Sequence, residues 1–300
     1  MMKHWIPIIS LFLSLPGHSL EFQNNDRVVL LGNTVIERAQ KYGHLETTLT
    51  LTAGKSGLRF RNLGWSGDSV YGHARSYFGP PQEGFDRLKE NLTEFKPNVV
   101  LVCYGAVAAF DGPEGVTTFV EGYSRLLEMI QTSASPRHIV LISPPPAESL
   151  GAPMPDMTSH NKNLSIFRDA IRDLASKRKN GFADLFGEMG PGATGLTDNG
   201  IHYTGQGYQI LSRLMVKALG MTPPSIVQLE SEEVGKLREA IIAKNKLFFF
   251  QWRPANETYL RLFRKHEQGQ NAKELAQFDP LILKAEKEIE ALRKTANNIK

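Results

Sequence analysis

The chain has 300 residues, of which 41% are hydrophobic and 22% charged, so it carries a sizeable core and is not a disordered polymer. Its formal charge of +4 comes from basic residues interspersed with acidic ones, which gives a nucleic acid no basic stripe to bind. A single cysteine, Cys103, excludes an intrachain disulfide, and its apolar surroundings in "VVLVCYG" read as a buried, inert thiol.

At the N-terminus, "MMKHWIPIISLFLSLPGHSLEF" sets Lys3 before an apolar stretch from Trp5 to Leu15, with small Gly17 and Ser19 following. That order reads as a secretory signal peptide over residues 1–19, too short to span a bilayer comfortably. Export to the periplasm or the medium is expected, with the mature chain starting near Leu20 or Glu21. No later segment is long and apolar enough to be a membrane helix.

Five apolar runs of strand length then follow: 27–31, 58–63, 98–104, 137–143 and 181–185. The richest are continuously apolar, as in strands covered on both faces. Helical spacing lies between them. It sets Phe119, Tyr123, Leu126, Leu127 and Ile130 on one face, and likewise Leu164, Phe167, Ile171 and Leu174. A later segment places Ile210, Leu211, Leu214 and Met215 together. Alternating strands and helices predict an α/β fold, a doubly wound parallel sheet of about five strands over residues 26–220.

In such sheets a ligand sits beyond the carboxyl ends of the strands. There the sequence offers "GNT", "GWSGDS", "GAVAAFDG", a Pro-rich loop and "LTDNGIHYT", in that order. Thr34 by itself reads as a helix cap or as a nucleophile. His202 reads as a helix-start histidine or, beside the other loops, as a general base. No His, Cys, Asp or Glu cluster has metal-ligand spacing, and "GNTVIE" lacks the glycines and lysine of a phosphate loop, so no cofactor is expected.

These loops resemble the motifs of the SGNH hydrolases, also called GDSL-type esterases, over roughly residues 26–218. "LLGNTVIE" resembles the nucleophile motif, "NLGWSGDSV" the glycine motif, "YGAVAAF" the Gly-x-Asn motif and "DNGIHYTGQGY" the Asp-x-x-His motif. The resemblance implies a flavodoxin-like sheet and ester hydrolysis. Position by position, the nucleophilic Ser falls on Thr34 and the Asp before it on Asn33. The oxyanion glycine falls on Gly67, the oxyanion Asn on Val107, the base on His202 and its Asp on Asn199. Only Gly67 and His202 match outright. The implied site is an atypical Thr34, His202 and Asn199 triad, with the N–H groups of Thr34 and Gly67 as an oxyanion hole weakened at Val107.

Each departure has a physical cost. Threonine keeps the hydroxyl but adds a methyl that stiffens χ1 and crowds the attack path. Asn199 can orient an imidazole but cannot stabilise an imidazolium by charge. Val107 removes a donor whose loss costs roughly 10²–10³ in kcat. Asn33, Asp68, Trp65 and Tyr104 are candidates for substrate contact. Asp68 reads equally as a turn residue, and the two aromatics equally as core.

Beyond "MTPPS" the alternation ends. Residues 226–300 read as a helical extension packed on the domain, with Val234, Leu237, Ile241 and Ile242 on one helix face and Leu283, Ile289 and Leu292 on another. Phe248, Phe249, Phe250 and Trp252 must be covered, by the α/β body, across the site, or by a partner protein. Two functional readings follow. One is an ester hydrolase for a small ester or an acylated carbohydrate, such as a carbohydrate deacetylase. The other is a degenerate domain of this kind that binds a glycan or a partner protein.

Overall fold

Strand β1 (Arg27–Gly32) sits inside a sheet with β2 (Arg59–Asn62), β3 (Val99–Cys103), β4 (His138–Ile142) and β5 (Gly181–Ala183). All pairings are parallel and the spatial order is β2-β1-β3-β4-β5, the flavodoxin-like order that the resemblance implies. The computed structural model describes residues 20–298; the expected signal peptide, residues 1–19, lies outside the described residues.

Side chains alternate across β1, which fixes the two layers. Val28 and Leu30 face one layer, packed with α1 (Thr34–Tyr42), α2 (His44–Ala53) and, later in the chain, the helix over residues 205–218. Val29 and Leu31 face the other, with α3 (Pro81–Phe95), α4 (Val116–Ala134) and α5 (Thr158–Arg178). The short α6 (Leu185–Met189) follows β5 and leads through a loop to α7 (Gly205–Ala218). The faces expected for α4 and α5 are buried as read. On α7, Leu211 and Met215 are buried but Ile210 faces solvent, because the helix turns a narrower stripe to the sheet than the sequence suggested. Cys103 is buried and free, and burial pushes its thiol pKa up to about 12.

The C-terminal region forms α8 (Ile226–Leu229), α9 (Glu232–Trp252), α10 (Glu257–Leu260), α11 (Lys265–Gln268), a 3-10 stretch over Gly269–Gln277 and α12 (Phe278–Ala296). Helix α9 lies between α12 and the body. Val234, Leu237 and Ile241 pack with Leu51 of α2 and Ile289 of α12, while Phe248 enters the core beneath α3. Leu283 is 43% exposed and Ile282 is buried in its place, a one-residue shift of the apolar stripe. Phe250 remains 43% exposed.

At the centre of the α9 contact Lys244 is buried. Its ammonium meets Glu46 of α2 at 2.7 Å and donates to Phe60 O at 3.2 Å and to Asn245 Oδ1 at 2.8 Å. Burial pulls the Lys244 pKa down, and the Glu46 carboxylate opposes that shift. Around it, Arg61 of β2 pairs with Glu286 of α12 at 2.6 Å, and Gly57 N donates to Glu290 at 3.3 Å. Among the described residues no helix is long and apolar enough to cross a membrane.

Candidate active site

Parallel strands bring the four motif loops to one end of the sheet. Thr34 follows β1 directly, Gly67 follows β2, Val107 follows β3, and His202 lies in the loop before α7. Thr34 is the first residue of α1 and not its cap; Asn33 holds the capping position, is buried and makes no side-chain capping bond. Being at the helix start, the Thr34 N–H has no intrahelical acceptor. Its Oγ1 accepts the N–H of Gly67 at 3.4 Å.

The Gly67 loop is held against α1 from several sides. Asn62 at the end of β2 donates to Ile36 O at 2.7 Å and accepts from Gly64 N at 2.9 Å. Gly64 is required there, since a Cβ would come within 2.2 Å of Glu37 N. Ser66 N donates to the Glu37 carboxylate, one turn along α1 from Thr34. Gly67 itself has φ of 75°, a conformation that favours glycine.

The C-terminal extension completes this support. Arg253, just past α9, pairs with Glu37 at 3.2 Å and stacks over Trp65 with 3.6 Å to the ring centroid. Trp252 meets Trp65 edge-on at 5.6 Å. Trp65 is thus buried between the loop and the extension. Asp68 is fully buried and accepts from Arg75 Nε and from the Tyr104 hydroxyl, both at 2.7 Å. Arg75 also donates to Leu63 O at 2.7 Å. These bonds brace the loop from below and occupy the polar atoms of Asp68 and Tyr104.

His202 stands in a tight turn between the bridged residues Thr197 and Tyr203. Glu148, from the loop after β4, organises that turn: its carboxylate accepts from Gly195 N, Leu196 N at 3.2 Å, Thr197 N at 2.8 Å and Thr197 Oγ1 at 2.6 Å. Burial would raise the Glu148 pKa, but these bonds outweigh it and leave the carboxyl below its ordinary value. Nothing in the sequence distinguished Glu148 from any other loop acid.

Asn199 Oδ1 accepts from Ile201 N at 3.2 Å and from His202 N at 2.8 Å, so its Nδ2 faces His202 Nδ1 at 3.1 Å. Turning the amide over would set an NH₂ against two N–H groups, so the orientation is fixed. His202 Nδ1 is then an acceptor, and the neutral ring carries its proton on Nε2. The adjacent Asp198 turns away and pairs with Arg38 at 3.7 Å. Among the described residues no hydrogen bond joins Thr34 Oγ1 to His202.

A cavity of about 80 Å³ opens beside Thr34, lined mainly by Val107, Phe110, His160, Ile201 and Tyr203. Val107, 40% exposed, separates it from a larger cleft of about 470 Å³ with Tyr104 and Phe119 in its wall and Asp111 and Glu114 among its polar residues. Among the described residues the aromatic extension enters neither cavity, and none that lines them lies beyond Tyr203. His160, which sequence reading passed over, was hidden inside a helix with no motif around it. Among the described residues no three His, Cys, Asp or Glu side chains are placed to hold a metal ion.

Comparison with known proteins agrees with this fold. A search of curated proteins gave no match. The solved structure of Axe2, an acetylxylan esterase from Geobacillus stearothermophilus, matches with a TM-score of 0.51 and 15% identity, over 67% of this chain and 97% of that one. LAE5, an alpha/beta hydrolase enzyme from the metagenome of Lake Arreo, Spain, matches with a TM-score of 0.50 and 17% identity, over 66% and 97%. BT4096, a gut microbial diltiazem-metabolizing enzyme, has a TM-score of 0.63 and 11% identity over 94% of this chain and 96% of its own, so that likeness extends into the C-terminal helices. At such identities the likeness is one of fold. The model of the GDSL-like lipase/acylhydrolase family matches residues 38–210, a segment that holds Gly67, Val107, Asn199 and His202 and begins just after Thr34. Spanning more than half of the chain, that match shows that the protein belongs to the GDSL-like lipase/acylhydrolase family.

Proposed function

We propose that the protein is an exported ester hydrolase of low turnover that removes short acyl groups from a polyhydroxylated alcohol such as an acylated carbohydrate. The observation that carries this reading is the open cavity at Thr34, with the Gly67 N–H already directed at its hydroxyl. In this mechanism Thr34 Oγ1 attacks the acyl carbon and its proton passes to His202 Nε2. The carbonyl oxygen takes the negative charge and lies against the N–H groups of Thr34 and Gly67. Collapse expels the alcohol, which regains a proton from His202, and water then releases the acid by the same steps.

Turnover is low because His202 accepts that proton only in the tautomer with its proton on Nδ1, against which Asn199 directs a donor. A threonine nucleophile and Val107 act in the same direction. The small cavity supports a short acyl group, and the larger cleft, with aromatic walls and the carboxylates of Asp111 and Glu114, supports a hydroxyl-rich alcohol. Initial rates on acetate, butyrate and octanoate esters, beside Thr34→Ala and His202→Ala, test this. Rates should fall with acyl length and vanish in both variants.

The Asn199–His202 contact also favours a second reading, a domain that binds acylated glycans without cleaving them. That reading prevails if neither the native protein nor the combined Thr34→Ser, Val107→Asn and Asn199→Asp variant, verified as folded, hydrolyses any ester.

A further inference from the structure

The oxyanion position at Val107 has lost its side-chain donor, yet the cavity it lines contains another. His160, in the first turn of α5, is only 9% exposed and shares that cavity with Thr34 and Val107. Its ring stacks on Phe110 with 3.9 Å between centroids and 21° between planes. Phe110 lies three residues past Val107, so the loop that lost the donor is the loop that orients the imidazole. Among the described residues the ring nitrogens have no hydrogen-bond partner. The rest of the wall is largely apolar, with Val35, Ala147, Leu164 and Ile201.

The ring nitrogens are not sealed in the core but open onto the cavity, where they are free to donate to whatever occupies it. We propose that His160 is the third hydrogen-bond donor of the site, directed at the carbonyl oxygen of a bound ester in place of the missing side chain at Val107. The proposal rests on the ester-hydrolase reading.

The chemistry needs a neutral donor. Burial holds the His160 pKa below its ordinary value, which favours the neutral ring. A neutral imidazole donates one N–H to the oxygen as negative charge builds, and no proton leaves it. Stacking on Phe110 and a backbone fixed in α5 limit the rotation of the ring.

The test pairs His160→Leu, which removes the donor, with His160→Gln, which keeps an N–H donor. On 4-nitrophenyl acetate, His160→Leu should lower kcat by about 10²-fold with little change in KM, and His160→Gln should restore much of it. Acetate, whose charged carboxylate oxygen stands in for the oxyanion, gives a second readout that needs no turnover. Titration should move the ring ¹⁵N resonances of His160, and acetate affinity should fall at least tenfold in His160→Leu but not in His160→Gln. Thermal melting of both variants verifies that they are folded. Unchanged kcat and unchanged acetate affinity in His160→Leu would overturn the proposal. If the native protein hydrolyses no ester, the hydrolase reading fails, and acetate affinity alone decides the role of His160.

Discussion

Asn199 presents its amide nitrogen, not its oxygen, to His202 Nδ1 at 3.1 Å, because two backbone N–H groups already hold the oxygen. A single atom type therefore sets the tautomer of the histidine. Replacing Asn199 by Asp keeps both backbone bonds and turns the third contact into an acceptor for Nδ1–H. This frees Nε2 to accept a proton.

Asn199→Asp should raise kcat on 4-nitrophenyl acetate by about 10²–10⁴-fold, the scale seen when a triad carboxylate and amide are exchanged. Ring ¹⁵N shifts of His202 should move from the Nε2–H to the Nδ1–H pattern. An unchanged tautomer with unchanged rate would show that the amide does not govern the histidine.

Glu148 holds the turn that presents His202, and its depressed pKa gives the dependence on acid a definite sign. Its ordinary pKa is 4.5 and the folded value is lower. Its stabilisation is complete above pH 4.5 and is lost as pH falls through the folded value. Glu148→Gln places an NH₂ among four donors and should cost about 1–3 kcal/mol and lower turnover with little change in KM. Melting curves at pH 7 and pH 4 check the first and initial rates on 4-nitrophenyl acetate the second, and the variant should show less acid sensitivity than the native protein.

Arg253 and Glu37 couple the extension to the Gly67 loop. Arg253→Ala should speed amide hydrogen exchange at Ser66 and Gly67 while leaving exchange in β3 unchanged. The global cost should be small, about 1 kcal/mol, since both side chains are partly exposed. Faster exchange everywhere would mean that the contact holds the whole fold and not this loop.

The buried Lys244–Glu46 pair tests the attachment of α9. Lys244→Ala leaves the Glu46 carboxylate buried without its cation and should cost about 3–5 kcal/mol. Truncation after Pro224 removes Lys244 and uncovers the core around Leu51, so it should lower both solubility and the melting temperature. A truncated protein with an unchanged melting temperature would refute the packing argument.

The sheet was legible because β1, β3 and β4 are continuous apolar runs and the helices between them carry regular stripes; its flavodoxin-like order was implied by the resemblance of the loops to the SGNH motifs. The motif loops were legible for the same reason: a parallel sheet gathers whatever follows its strands. What escaped was decided by contacts distant in sequence. Asp68 gave no sign of the Arg75 and Tyr104 bonds that bury it, and Trp65 none of Arg253, far along the chain. Glu148 and His160 belong to no motif; each matters because of the loop or cavity that the fold places against it. Ile210 was misplaced because the apolar stripe of α7 is wider in the sequence than the face that is buried, and Leu283 because the buried stripe of α12 is displaced by one residue onto Ile282.

The central claim, that Thr34 is the nucleophile of an ester hydrolase, is tested most directly by trapping the acylated protein. After reaction with 4-nitrophenyl acetate and an acid quench, peptide mass spectrometry should find an acetyl group on Thr34. The adduct should be absent from Thr34→Ala and strongly reduced in His202→Ala. Ester turnover with no acyl group at Thr34, or a Thr34→Ala variant as active as the native protein, would contradict it.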